Sequence, residues 1–103
     1  MYLKRFKNGI LLDKKTSINL EIGLVRLKKE QKNTIGNHPT EEEAYIILKG
    51  KALLSLGDEK KTVKQGQVVY VPAGVTHQFS SLTDDFEYIY AATWPHELKK
   101  KNK

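Results

Sequence analysis

The chain has 103 residues, with 18 Lys and Arg against 12 Asp and Glu, a net charge of +6, and no cysteine. That length builds one hydrophobic core and leaves no room for a second folding unit. Without cysteine there is neither a disulfide framework nor a thiolate metal site, so a transition metal must be held by histidine nitrogen and carboxylate oxygen.

In chain order, Met1 to Phe6 holds no apolar run of signal-peptide length. No later stretch reaches the about eighteen apolar residues of a membrane span, and a soluble, cytoplasmic protein is expected. Residues 18–27 alternate for most of their length, which predicts a long strand with Leu20, Ile22 and Leu24 on its inward face. Arg26 continues that face, and an inward guanidinium needs an anionic partner, either a substrate carboxylate or phosphate or an acidic side chain. The polar stretch Lys28 to Asn33 is a turn. Ala44 to Leu48 and Ala52 to Leu56 are apolar runs bent at Gly50, which reads as a hairpin. A polar strand, 59–63, follows the Gly57-Asp58 turn. Val68 to Val71, His77 to Ser81 and Phe86 to Ala92 complete the series, separated by Gly66 and by Pro72-Ala73-Gly74. One helical turn is expected around Pro95 to Lys101.

Short strands every eight to twelve residues with glycine or proline between them indicate an all-β jelly roll. We expect one domain over residues 1–98 and a disordered basic tail over 99–103. The positive charge is spread in pairs such as Lys28-Lys29 and Lys60-Lys61, and the single dense cluster is that tail, a distribution that argues against nucleic-acid binding.

Parity orders the candidate chemistry. Alternate side chains of a strand share a face, so Glu43, Tyr45 and Ile47 point together, as do His77, Phe79 and Ser81, and as do Thr34, Gly36 and His38. Two blocks carry these residues: His38-Pro39-Thr40-Glu41-Glu42-Glu43-(x6)-Gly50 and Gly66-(x5)-Pro72-x-Gly74-x2-His77. Both resemble the motifs of the cupin family, G-x5-H-x-H-x(3,4)-E-x6-G and G-x5-P-x-G-x2-H-x3-N. The second block departs only at Ser81, where Asn is usual, and the first at Gly36, where the family has its first histidine.

The resemblance implies a double-stranded β-helix, the cupin barrel, and a divalent metal (Fe, Mn, Ni or Zn) on His38, Glu43 and His77. Two histidines and a carboxylate form a facial set that leaves positions for substrate or dioxygen. Of the three glutamates, Glu43 alone keeps the distance to Gly50 and the inward parity, and Glu41 and Glu42 are expected to be solvated. His96 is read as a surface or interface residue. The expected small-molecule pocket is lined by Arg26, Tyr45, Phe79, Tyr88 and Tyr90, with Tyr45 the candidate proton shuttle in catalysis.

Two functions lead on these residues, ahead of a third in which the basic surface acts as an interaction module. The first is a metal-dependent enzyme, of isomerase or lyase type or a dioxygenase, acting on a small hydroxylated or carboxylated metabolite. The second is a non-catalytic binding or sensor barrel, with His38 and His77 as hydrogen-bonded pocket residues. The resemblance also implies a homodimer, in which Met1 to Leu12 could cross to the neighbour.

Overall fold

The computed structural model describes residues 1–13, 15–36 and 40–93. His38, His96, the turn expected near Pro95 and the basic tail lie outside the described residues. The elements are β1 (Gly9–Leu12), β2 (Leu20–Leu27), β3 (Glu43–Lys49), β4 (Lys51–Leu56), β5 (Glu59–Lys64), β6 (Val68–Val71), β7 (His77–Ser81) and β8 (Phe86–Thr93). Two antiparallel sheets face one another, ordered β1-β2-β8-β3-β6 and β5-β4-β7. This is the jelly roll expected from the sequence.

Alternation fixes which residues fill the space between the sheets. Tyr45 and Ile47 on β3, Ala52 and Leu54 on β4, Val63 on β5, Phe79 on β7, and Phe86 and Tyr88 on β8 form one buried cluster. Its centre is aromatic. Phe79 meets the ring of Tyr45 edge-on at 4.9 Å and lies 4.7 Å from that of Tyr88, and the rings of Tyr88 and Phe86 are 5.4 Å apart. Offset and edge-to-face pairs of this kind add to the stabilisation from burial alone.

The chain passes from one sheet to the other at Gly50, between β3 and β4. Its φ of 76° lies in the left-handed region, and a Cβ there would stand 2.9 Å from the backbone Cα of Phe86 and overlap the Thr83 hydroxyl. Both the conformation and the crowding require glycine. The edge strand β5 has the polar pattern Glu59-Lys60-Lys61-Thr62-Val63-Lys64, with Val63 turned inward and the lysines in solvent. Charge on an exposed edge opposes pairing with other chains.

Two features differ from the sequence expectation. Residues 9–12 form a strand that pairs with β2 of their own chain, with a bulge between Ile10 and Leu12. The inward face of β2 is also the opposite one. Val25 and Leu27 pack on the core, while Leu20 and Arg26 are exposed on the outer face. Leu24, on that outer face, is nonetheless buried, so β2 carries buried apolar residues on both sides and alternation alone does not choose between them.

Candidate active site

One end of the barrel is closed by the aromatic core. The other opens into a cavity of about 450 Å³, within the range of small-molecule sites. The register of the larger sheet builds its wall in two rows. In the upper row Ala92 of β8 is the partner of both Glu21 on β2 and Glu43 on β3. In the row beneath, Tyr90 is the partner of both Gly23 and Tyr45. The opposite wall comes from the smaller sheet through His77, beside which residues 31–36 run as an added strand-like segment. Gly36 and His77 exchange both backbone hydrogen bonds, at 2.9 and 3.0 Å.

His77 and Glu43 converge. The Nε2 atom of His77 lies 2.8 Å from Oε1 of Glu43, and the His77 side chain is 4% exposed. Its Nδ1 lies 2.9 Å from the carbonyl oxygen of Val75. A carbonyl only accepts, so Nδ1 carries the proton, and in the neutral ring Nε2 then turns a lone pair toward a carboxylate. With a proton on Nε2 the contact is an ion pair; with the lone pair there, a cation takes the place between the two atoms. A spacing of 2.8 Å is close to the roughly 3 Å between adjacent donors that each sit about 2.1 Å from one metal ion. A backbone acceptor on the far nitrogen is the usual way a ligating imidazole is oriented. This donor pair fits a divalent ion. Among the described residues no group of three potential metal-ligating His, Cys, Asp or Glu side chains occurs, and His38 is not among them.

The tyrosines hold the carboxylates. Tyr45 donates to Oε1 of Glu43 at 2.6 Å, and Tyr90 donates to Oε2 of Glu21 at 2.6 Å. Burial, then the hydrogen bond to Glu43 and its charge, keeps the Tyr45 phenol well above its ordinary value. Burial and the Glu21 carboxylate raise Tyr90 in the same way. Burial pushes Tyr88 up to about 12, against the lowering effect of the Asn33 amide and with a smaller upward push from the charge of Glu43. Asn33 donates to the Tyr88 hydroxyl at 3.1 Å, and its own oxygen accepts the backbone N–H of Phe79. All three phenols are therefore donors at neutral pH.

Of the pocket residues expected from the sequence, Tyr45, Tyr88 and Tyr90 line the cavity. Phe79 does not. It is fully buried in the core beneath the cavity floor. Arg26 is a second correction: its side chain is 56% exposed and its Nε lies 2.5 Å from Oε2 of Glu87, the residue directly opposite on β8. The guanidinium found its carboxylate on the outer face, as cross-strand neighbours of opposite charge do. Glu41, expected in solvent, is half-buried and lines the cavity, whereas Glu42 is exposed and accepts the hydroxyl of Tyr70 at 2.6 Å.

Sequence reasoning missed Glu21 and Asn33. The available signal for Glu21 was the alternative parity Glu21-x-Gly23-x-Val25, in which a glycine makes room for a large side chain on the neighbouring strand. A Cβ at Gly23 would overlap the Tyr90 ring and lie 2.6 Å from its hydroxyl oxygen.

Residues 23–91 match the family described as Cupin domain. The chain is a cupin. Proteins of this family commonly bind metals, and their barrel is compatible with small-molecule binding. An uncharacterized protein of Streptomyces coelicolor is 32% identical over 77 residues, covering 75% of this cupin and 72% of that protein. One of Methanocaldococcus jannaschii is 37% identical over 51 residues, covering 50% of this chain and 41% of its own. Among solved structures, KdgF from Halomonas superposes with a TM-score of 0.74 at 17% identity, over 87% of this chain and 81% of that one. A predicted oxalate decarboxylase from Thermotoga maritima gives 0.77 at 20%, over 84% and 77%. A cupin protein from Bacteroides fragilis gives 0.77 at 19%, over 93% and 83%. At these identities the likeness is one of fold. Among the described residues no helix is long and apolar enough to cross a membrane.

Proposed function

We propose that this cupin binds a divalent transition metal (Fe, Mn, Ni or Zn) through His38, Glu43 and His77, and acts on a small hydroxylated or carboxylated metabolite in the adjoining cavity. The observation that carries the reading is the convergence of His77 Nε2 on the Glu43 carboxylate at 2.8 Å, with Nδ1 2.9 Å from the Val75 carbonyl oxygen. A bound metal would supply Lewis-acid polarisation of substrate oxygens, which serves isomerase or lyase chemistry, or the redox chemistry of a dioxygenase. Tyr45 keeps its proton and orients Glu43, so it acts on the donor side of any proton shuttle. Tyr88 and Tyr90 present further hydroxyls from the cavity wall.

The unit that does this is the single domain of residues 1–98. A homodimer belongs to the same reading, supported by the exposed apolar side chains Ile46, Val68 and Tyr70 on the outer face of the larger sheet.

The test is calorimetric titration of metal-free protein with Mn(II), Fe(II), Ni(II) and Zn(II), in the parent and in His77→Ala. One ion bound per chain in the parent, weakened at least about a hundredfold in the variant, supports the site. Equal affinity in both removes it. The non-catalytic alternative, a binding barrel without functional metal, is favoured when the parent binds no metal yet still takes small ligands.

A further inference from the structure

Resting on the cavity reading above, we infer that Glu21, held by Tyr90 in the space left by Gly23, selects a ligand hydroxyl or ammonium group at its end of the cavity and turns a carboxylate away from that end. Three observations carry this.

The first is placement. Glu21 and Glu43 lie in one row of the sheet on either side of Ala92, whose methyl group leaves the space between them open. Two intervals of strand spacing put their Cα atoms about 10 Å apart. That gap admits the width of a small polyol or amine, with a carboxylate on each flank.

The second is fixation. The Tyr90 hydroxyl reaches Oε2 of Glu21 at 2.6 Å because its ring lies over Gly23, where any side chain would collide with it. One oxygen of Glu21 is thereby occupied by the phenol. The other remains an acceptor for a ligand O–H or N–H, and among the described residues Glu21 makes no ion pair. A carboxylate held by a half-buried phenol beside an open cavity is oriented for recognition rather than for pairing within the protein.

The third is charge. Among the described residues lining the cavity there are three glutamates, Glu21, Glu41 and Glu43, and neither lysine nor arginine. The described lysines and arginines therefore lie outside this lining. Arg26, the residue the sequence offered as an anion anchor, is committed to Glu87 on the outer face. At the Glu21 end, away from the proposed metal position, a ligand carboxylate meets the Glu21 carboxylate, and like charges at short range in a partly dehydrated site repel. A hydroxyl or ammonium group meets acceptors, with the Tyr88 and Tyr90 rings beside it for apolar and cation–π contact.

The experiment uses three probes that differ at one end group: glucitol (a hydroxymethyl group), gluconate (a carboxylate) and glucamine (an ammonium). Their affinities are measured by calorimetry for the full-length parent, for Glu21→Gln and for Tyr90→Phe, each with and without loaded metal. Glutamine can still accept the Tyr90 hydroxyl, so Glu21→Gln removes the charge and keeps the contact. The expected order in the metal-free parent is glucamine at least as tight as glucitol, and both tighter than gluconate. Glu21→Gln shifts the glucamine-to-gluconate ratio toward gluconate by about tenfold or more, and Tyr90→Phe shifts it less.

A metal-free parent that prefers gluconate, a ratio unchanged in Glu21→Gln, or no binding of any probe to metal-free and metal-loaded protein alike overturns the inference. Failure of the metal reading shows separately, as a parent that loads no metal. The order of the three probes on the metal-free protein then still decides the role of Glu21.

Discussion

Gly23→Ala is a substitution whose cost can be worked from the structure. The backbone at Gly23 is ordinary extended strand, so alanine brings no conformational strain, and replacing a strand glycine should by itself add about 0.5–1 kcal/mol of stability. The new methyl group would occupy the volume of the Tyr90 ring, 2.6 Å from its hydroxyl oxygen. The ring must swing away, and it then gives up its hydrogen bond to Glu21. A hydrogen bond to a charged group contributes about 1.5–3 kcal/mol, and forced repacking costs about 1–3 kcal/mol. Because Tyr90 is only half-buried and its outer end can move, the lower ends of those ranges apply. A net loss of about 1–2 kcal/mol follows, or a fall in Tm of about 4–8 °C per kcal/mol. The assay is urea denaturation of a four-member cycle: parent, Gly23→Ala, Tyr90→Ala and the double variant. In the Tyr90→Ala background the clash is gone, so Gly23→Ala should become neutral or stabilising by about 0.5–1 kcal/mol. The same loss in both backgrounds would refute the argument that Gly23 exists to seat Tyr90.

Other perturbations test separate parts of the account. Arg26→Met should leave probe binding unchanged and lower stability by about 1–3 kcal/mol, since it strips the buried Glu87 carboxylate of its partner; calorimetry and thermal melting read the two effects. Phe79→Ala, emptying the centre of the aromatic cluster, should cost about 3–5 kcal/mol in denaturant unfolding. Tyr88, raised from 10.0 to about 12 in the folded state, favours folding while its phenol is protonated. That contribution is fully present below pH 10 and is lost as the pH rises toward 12. It amounts to about 2–3 kcal/mol, with Tyr45 and Tyr90 adding in the same direction. Urea midpoints measured across the alkaline range should fall accordingly, and a flat profile would contradict the burial argument. Gly36→His restores the motif's first histidine beside His77, with which residue 36 exchanges both backbone hydrogen bonds. It should tighten metal binding at least about tenfold by titration.

The sheets were legible because their strands alternate cleanly and end at glycine, proline or asparagine, and the cupin motifs made the barrel specific. Glu43, Tyr45 and His77 were legible by the same parity, since β3 and β7 each bury one face. β2 was not. Its buried outer residue Leu24 made that face read as the interior, which turned Glu21 outward and Arg26 inward in the sequence reading. What settles the matter is a tertiary fact, the volume of Tyr90 above Gly23, about which β2 alone carries only the glycine. Glu41 escaped because it lies between β2 and β3, where strand parity assigns no face. β1 escaped because a four-residue strand with a bulge leaves too little alternation to read.

The central claim is that the barrel holds a metal on Glu43 and its neighbouring histidines. Elemental mass spectrometry of tag-free protein, beside Glu43→Ala prepared identically, tests it most directly. The account predicts near-stoichiometric Fe, Mn, Ni or Zn in the parent and its loss in the variant. A parent that carries no metal, even after anaerobic reconstitution with each cation, would contradict it.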